Sequence, residues 1–371
     1  MNLKTGVRTL ATLVFALLAI SAASAASQLS ESGVRNCAAY AGGDAGEKIA
    51  ACLADLPNGG IADARGFSGS QKISRRLVID KRGVILLLAP ASEFTLEDGV
   101  TIDLTGYGSQ IMGGGHTTAF LLGNGSSLRV GNATTPVTRW NLENFAVKPA
   151  EGKAPVAGII LQNAREGILS GLSVQRFSSD GASGIEVREN CWTIRALENM
   201  VSVNDVGYRF LGTGTNAWNI RGGVIYGNRV GLLIDLGKGS AQGIFLTDSV
   251  QLENNQSGVW FASGTVAGAF LHDIYAETKP GQRLIVVAAS GEEPLHVFEL
   301  RIDGGYINFM GTSPMLAHTR AVDSLEATVS NVVLTTGQKL AVAEVIGDTA
   351  HVAVRNAIQV DLATAKVLAN Q

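Results

Sequence analysis

Cysteine is scarce in this chain of 371 residues, which has only Cys37, Cys52 and Cys191. No Cys/His spacing resembles a zinc site. In an oxidising compartment Cys37 and Cys52 can bridge and pin an N-terminal helix, leaving Cys191 as a small buried hydrophobe. Proline is rare too, with 8 residues against 45 glycines, a balance compatible with one elongated repeat domain. Charged residues make up only 16% of the chain. Basic residues are the minority, which argues against a nucleic-acid binder. The one apolar run of note, Leu10 to Ile20, is too short to span a bilayer, so no membrane partner is expected. The Gly113-Gly-Gly-His116-Thr stretch lacks a following Lys and helix cap, so it is a coil corner and no phosphate loop.

That apolar run follows Lys4 and Arg8 and precedes Ala23-Ser24-Ala25, the pattern of a secretory signal peptide over residues 1–25. Cleavage near Ala25 leaves 27 basic and 32 acidic residues. The mature protein is therefore expected to be exported, to the periplasm or beyond it.

Repetition is what the chain has in quantity. Nine turn-suited residues, each followed by an apolar-x-apolar strand, are Asn144, Gly171, Asn199, Gly223, Ser249, Asp273, Gly305, Asn331 and Asn356. Their spacings run from 24 to 32 residues, the mark of a stacked repeat. Between turns the chain reads as three short strands. In one coil these are Gly207–Phe210, Trp218–Arg221 and Val224–Tyr226, before Gly231 opens the next. Helical periodicity and a leucine-rich consensus are both missing. Asn204, Asn228 and Asn254 occupy the corner before each new coil, where stacked amides can satisfy buried backbone.

The pattern Asn-x-x-Gly-φ-x-φ, a variable loop, then a strand ending in Asn or Gly resembles the repeat of pectate lyase-like proteins. Ala45–Leu56 reads as an amphipathic helix ahead of Ile61–Ala64 and Leu77–Ile79, similar to the helical cap and first coil of that superfamily. The resemblance implies an all-β, right-handed parallel β-helix solenoid with three short strands per coil and an N-terminal helical cap. The expected organisation is a signal peptide at 1–25, a segment with the capping helix at 26–66, and the β-helix at 67–371.

The resemblance also implies a substrate groove along the strand after the variable loop. Allowing an extra residue in coils with two corner glycines, the position before the turn reads Glu143, Ser170, Glu198, Arg221, Asp248, His272, Asp303, Ser330 and Arg355. Glu198, Arg221, Asp248, His272 and Asp303 form a charged line, the candidate catalytic residues. Carboxylates on alternate coils lie about 10 Å apart at the backbone, near the ~6.5–9.5 Å of inverting glycosidases. Arg221 between them suits a uronate carboxylate. Trp260, Trp218 and Arg209 are the candidate substrate-binding residues, although Trp218 can instead pack beneath the variable loop. On the next strand Glu253 and Glu277 share an outward column near 5 Å apart, a weaker candidate pair that could take Ca²⁺. No other cofactor is expected.

The superfamily's hydrolase motif, a paired Asp-Asp with a His-Gly, is absent. So is any convincing cluster of calcium-binding Asp with a nearby Arg base. The leading expectation is an exported lyase or hydrolase of an acidic polysaccharide. A non-catalytic glycan-binding or spacer protein is the alternative, and a polymer-level uronate epimerase a third.

Overall fold

The computed structural model describes residues 33–309, 315–318, 322–336, 341–344, 350–361 and 366–370. The expected signal peptide lies outside them. Parallel strands stack coil on coil into a solenoid of about 12 turns, the right-handed β-helix expected from the repeat. In the coil around Gly207 the three strands are Val206–Leu211, Thr215–Arg221 and Val224–Tyr226. Each pairs in parallel with its equivalents in both neighbouring coils. Arg209 stands between Glu186 and Leu233, Ile220 between Ala196 and Leu246, and Ile225 between Val201 and Leu252. Alternation then decides the core, since successive side chains point to opposite faces. Tyr208, Phe210, Trp218, Ile220 and Ile225 all point inward and are at most 2% exposed. Third strands form a sheet of their own, while Val230–Thr247 and Ser257–His272 run through both the first and second strand positions.

The corner between second and third strands departs from the expected register. Its left-handed residues are Asn144, Gly171, Glu198, Gly222, Asp248, Asp273, Gly304, Asn331 and Asn356, all with positive φ. Asn199, expected as the turn residue, follows one position later, whereas Gly223 and Gly305 are left-handed as expected and simply follow a second left-handed glycine. In other coils that later position holds a buried apolar residue, such as Phe145, Leu172 or Ile274. Asn199 takes such a buried place because its amide donates to the Leu169 carbonyl and accepts from the Leu172 N–H. Ser249 is also left-handed, following Asp248 in a corner with one extra residue.

The asparagine column shifts similarly at one coil. Asn204, Asn228 and Asn255 form the buried ladder, and Asn254 is the left-handed residue before it. The Asn204 side-chain N–H donates to Asn228 Oδ1 at 3.0 Å, and that of Asn228 to Asn255 Oδ1 at 2.9 Å.

The solenoid starts before residue 67, because Val34–Asn36 pairs with Ile61–Asp63 and that strand with Ile85–Leu87. Helix α1, Ala45–Asp55, covers this open end. Asp44 accepts the Glu47 N–H while Glu47 accepts the Gly43 N–H, a reciprocal cap. Lys81 Nζ donates to the carbonyls of Leu53, Ala54 and Leu56 at the helix end. Cys37 and Cys52 form the anticipated disulfide and are both fully buried. Cys191 is buried and free. At the other end, Ile358–Asp361 pairs antiparallel with Lys366–Asn370. Among the described residues, no helix is long and apolar enough to cross a membrane.

Candidate functional site

The one-residue difference at the corner redistributes the predicted charged line over two columns. Along the second strands the outward position runs Glu143, Ser170, Leu197, Arg221, then Thr247 beside Arg221. His272, Asp303, Ser330 and Arg355 continue it. Glu198 and Asp248 instead sit on the corner, one residue further on. The contiguous strand column expected from the sequence is therefore broken at those two positions. The charges nevertheless stay together.

Leu197, Glu198, Arg221, Gly222 and Asp248 line an open pocket of about 310 Å³. The gap exists because Gly222 holds the middle corner without a side chain. A Cβ added there would lie 3.5 Å from Glu198 Cγ and 4.0 Å from the Asp248 carbonyl oxygen. The two carboxylates thus flank an empty step. Arg221 is ion-paired with Asp248. Glu198 has no ion-pair or hydrogen-bond partner for its carboxylate among the described residues.

Further along, His272 Nδ1 lies 3.1 Å from the Asp303 backbone carbonyl, so Nδ1 carries the proton and donates. Its Nε2 is 3.5 Å from Asp273 Oδ2, and Nδ1 is 3.8 Å from Asp303 Oδ2. The carbonyl bond first, and then the surrounding carboxylates, raise the His272 pKa above the ordinary 6.5. Asp303 accepts from Ser330 Oγ and Asn331 Nδ2, each at 2.7 Å, which holds its pKa below the usual carboxylate value. Asp273 escaped sequence reasoning because its role as a turn residue accounted for it. Its adjacency to His272 was the available signal.

The predicted binding residues lie elsewhere. Trp218 is fully buried, edge-on to Phe210, with its indole N–H donating to the Cys191 carbonyl. It offers no face to a sugar, because its inward position on the strand commits it to the core. Trp260 and Arg209 share an outward column of the first strands, with Leu233 between them. Trp260 packs on Val206, Val230, Leu233 and Ala262 and donates to the Ala288 carbonyl. Arg209 Nη1 donates to the Gly181 carbonyl, and Nη2 lies 3.9 Å from Asp235. The first-strand position separates both residues from the corner pocket.

Glu253 and Glu277 are neighbours on the third strands, as the register predicts. Burial, then the Glu277 charge, raises the Glu253 pKa, while Tyr275 donates to Glu277. Among the described residues no three His, Cys, Asp or Glu side chains gather as a metal site.

No protein-family model matches the chain, and no curated protein matches it by sequence. Solved structures do match. One from Geobacillus virus E2, ORF18, aligns with a TM-score of 0.56 and 13% identity, over 93% of this chain and 64% of its own. The tailspike protein of E. coli bacteriophage HK620 gives 0.53 and 10%, over 86% and 63%. The endo-xylogalacturonan hydrolase of Aspergillus tubingensis gives 0.48 and 14%, over 84% and 94%. The chain has the right-handed parallel β-helix fold. At such identities the likeness concerns fold alone, and the first two proteins extend well beyond the part this chain spans. Within the β-helix coil, the Gly222 pocket lies at the turn from second to third strand.

Proposed function

We propose that the protein is an exported, carbohydrate-active β-helix protein that acts on an acidic polysaccharide such as a polyuronide, by lyase or hydrolase chemistry. The observation that carries this reading is the Gly222 gap, with Glu198 and Asp248 on either side and Arg221 against it. A guanidinium can take a uronate carboxylate by two parallel hydrogen bonds, exchanging it for Asp248. Neutralising that carboxylate favours removal of the proton on the adjacent ring carbon by unpaired Glu198; as the ring C=C forms, the glycosidic C–O bond on the next carbon breaks and the leaving oxygen takes a proton from water. For hydrolysis the same two carboxylates would serve as acid and base across about two coil steps, roughly 10 Å at the backbone. His272, flanked by Asp273 and Asp303, is the second proton-transfer candidate.

A non-catalytic glycan-binding role is favoured by one observation. The Arg221 and Asp248 side chains are 62% and 54% exposed, so the pocket excludes little water. Incubating the purified protein with a panel of polyuronides separates these readings. New ultraviolet absorbance of an unsaturated uronate indicates a lyase, and new reducing ends without it a hydrolase. Retardation in affinity electrophoresis with neither product indicates a binding protein. No product and no retardation on any acidic polymer would sink the proposal.

A further inference from the structure

A second pocket, of about 100 Å³, lies on the face of the first strands, away from the Gly222 corner. Arg76, Asp103, Arg129, Ile160 and Arg188 line it, spanning five consecutive coils. Three arginines border one pocket here in a chain whose net charge is negative. Each is tethered through Nε. Arg76 Nε donates to Asp103, Arg129 Nε to Ser127 Oγ at 3.0 Å, and Arg188 Nε to Glu186 Oε1 at 2.7 Å. The two carboxylate anchors are nearly buried, with side chains 6% and 10% exposed. Thr101 Oγ1 also donates to Asp103, at 3.2 Å.

Buried carboxylates need such partners, and the partners are oriented in return. With Nε occupied, the terminal nitrogens of all three arginines remain. None of these has a hydrogen-bond partner among the described residues, so their donors are free for a ligand at the pocket they line. Three arginines against Asp103 and Glu186 leave a local positive excess. Apolar Ile160, 5% exposed, forms the floor. Gly131, at the pocket edge, lets its backbone approach the next coil closely, since a Cβ there would lie 2.0 Å from the Gln162 carbonyl oxygen.

We infer that this pocket binds an oxyanion substituent of a glycan, a uronate carboxylate or a sulfate ester, through the terminal nitrogens of Arg76, Arg129 and Arg188. Guanidinium forks match such planar or trigonal oxygens in bidentate fashion. The volume is below the ~300–1,000 Å³ of sites that enclose a small molecule. The pocket therefore takes the anionic group and leaves the sugar ring on the open surface. The choice of a glycan as the bearer rests on the function proposed above, whereas the anion site itself rests on the arginines.

The test is calorimetric titration of the full chain with a galacturonate oligosaccharide, a sulfated neutral-backbone oligosaccharide, and an unsulfated neutral one. Arg129→Gln is the informative variant, because its guanidinium is exposed and its one bond is to a hydroxyl, so folding is spared. Arg65→Gln, at an exposed arginine outside both pockets, is the control. The wild type is expected to prefer one or both anionic ligands over the neutral one. Arg129→Gln is expected to weaken that binding about tenfold or more with the melting temperature unchanged, while Arg65→Gln binds like the wild type. Preference for galacturonate or for the sulfated ligand identifies the substituent. Equal binding by wild type and Arg129→Gln, or no anionic preference, overturns the inference. Polyuronide product formation, read separately in Arg129→Gln, reports on the Gly222 pocket and leaves this outcome independent.

Discussion

Arg221 and Asp248 form an ion pair across one coil step, and Gly222, with φ +59°, keeps the space beside them open. The pair is exposed on both sides, so its contribution to folding is small. Asp248→Ala is expected to change unfolding free energy by less than about 1 kcal/mol. Gly222→Ala places a Cβ in left-handed backbone, where it costs about 1–2 kcal/mol, and points it into the pocket. Urea denaturation of the two variants should therefore rank Gly222→Ala as clearly the less stable.

The amide ladder is where stability concentrates. Asn228 Oδ1 accepts from the Asn204 backbone and side chain, while its own amide donates to Val201 and Asn255. Removing it strands several buried polar groups, each worth about 1–3 kcal/mol. Asn228→Ala is expected to destabilise by about 3 kcal/mol or more in equilibrium denaturation. A loss below about 1 kcal/mol would show that water replaces the ladder.

Val203 carries the opposite expectation. It is a half-exposed β-branched residue with φ +58°, at the corner position held by Gly227 and Asn254 in the next coils. Left-handed backbone disfavours branched side chains most. Val203→Gly and Val203→Asn are each expected to raise stability, by about 1 kcal/mol, and thus to raise the melting temperature.

His272 offers a pH signature. Its folded pKa stands above 6.5, so its contribution is complete below pH 6.5 and fades as pH rises through the folded value. NMR titration of the imidazole should show that elevation. Asp273→Asn should move it down without abolishing it, because the Asp303 carbonyl bond persists.

Solenoid, cap and disulfide were legible in the sequence because repetition multiplies a weak signal. Each coil shows similar turn chemistry and alternation, so errors in one are outvoted. The site was less legible, since it depends on the register within single coils. Glu198 occupies the left-handed position although Asn199 is the residue turn chemistry favours, and Asn199 instead satisfies buried backbone. Local propensity lost to ladder hydrogen bonding there. Trp218 was misjudged for another reason: its indole N–H finds a backbone acceptor inside the core, which lets a large aromatic be fully buried. The arginine pocket was invisible because Arg76, Arg129 and Arg188 are brought together only by parallel stacking.

Whether the Gly222 corner acts on an acidic polysaccharide is decided by one assay. Product formation from the polyuronide that the wild type processes best is measured in Arg221→Ala and Asp248→Ala, alongside thermal unfolding. Each substitution is expected to abolish turnover while the melting temperature stays nearly unchanged. Activity retained in both variants would contradict it.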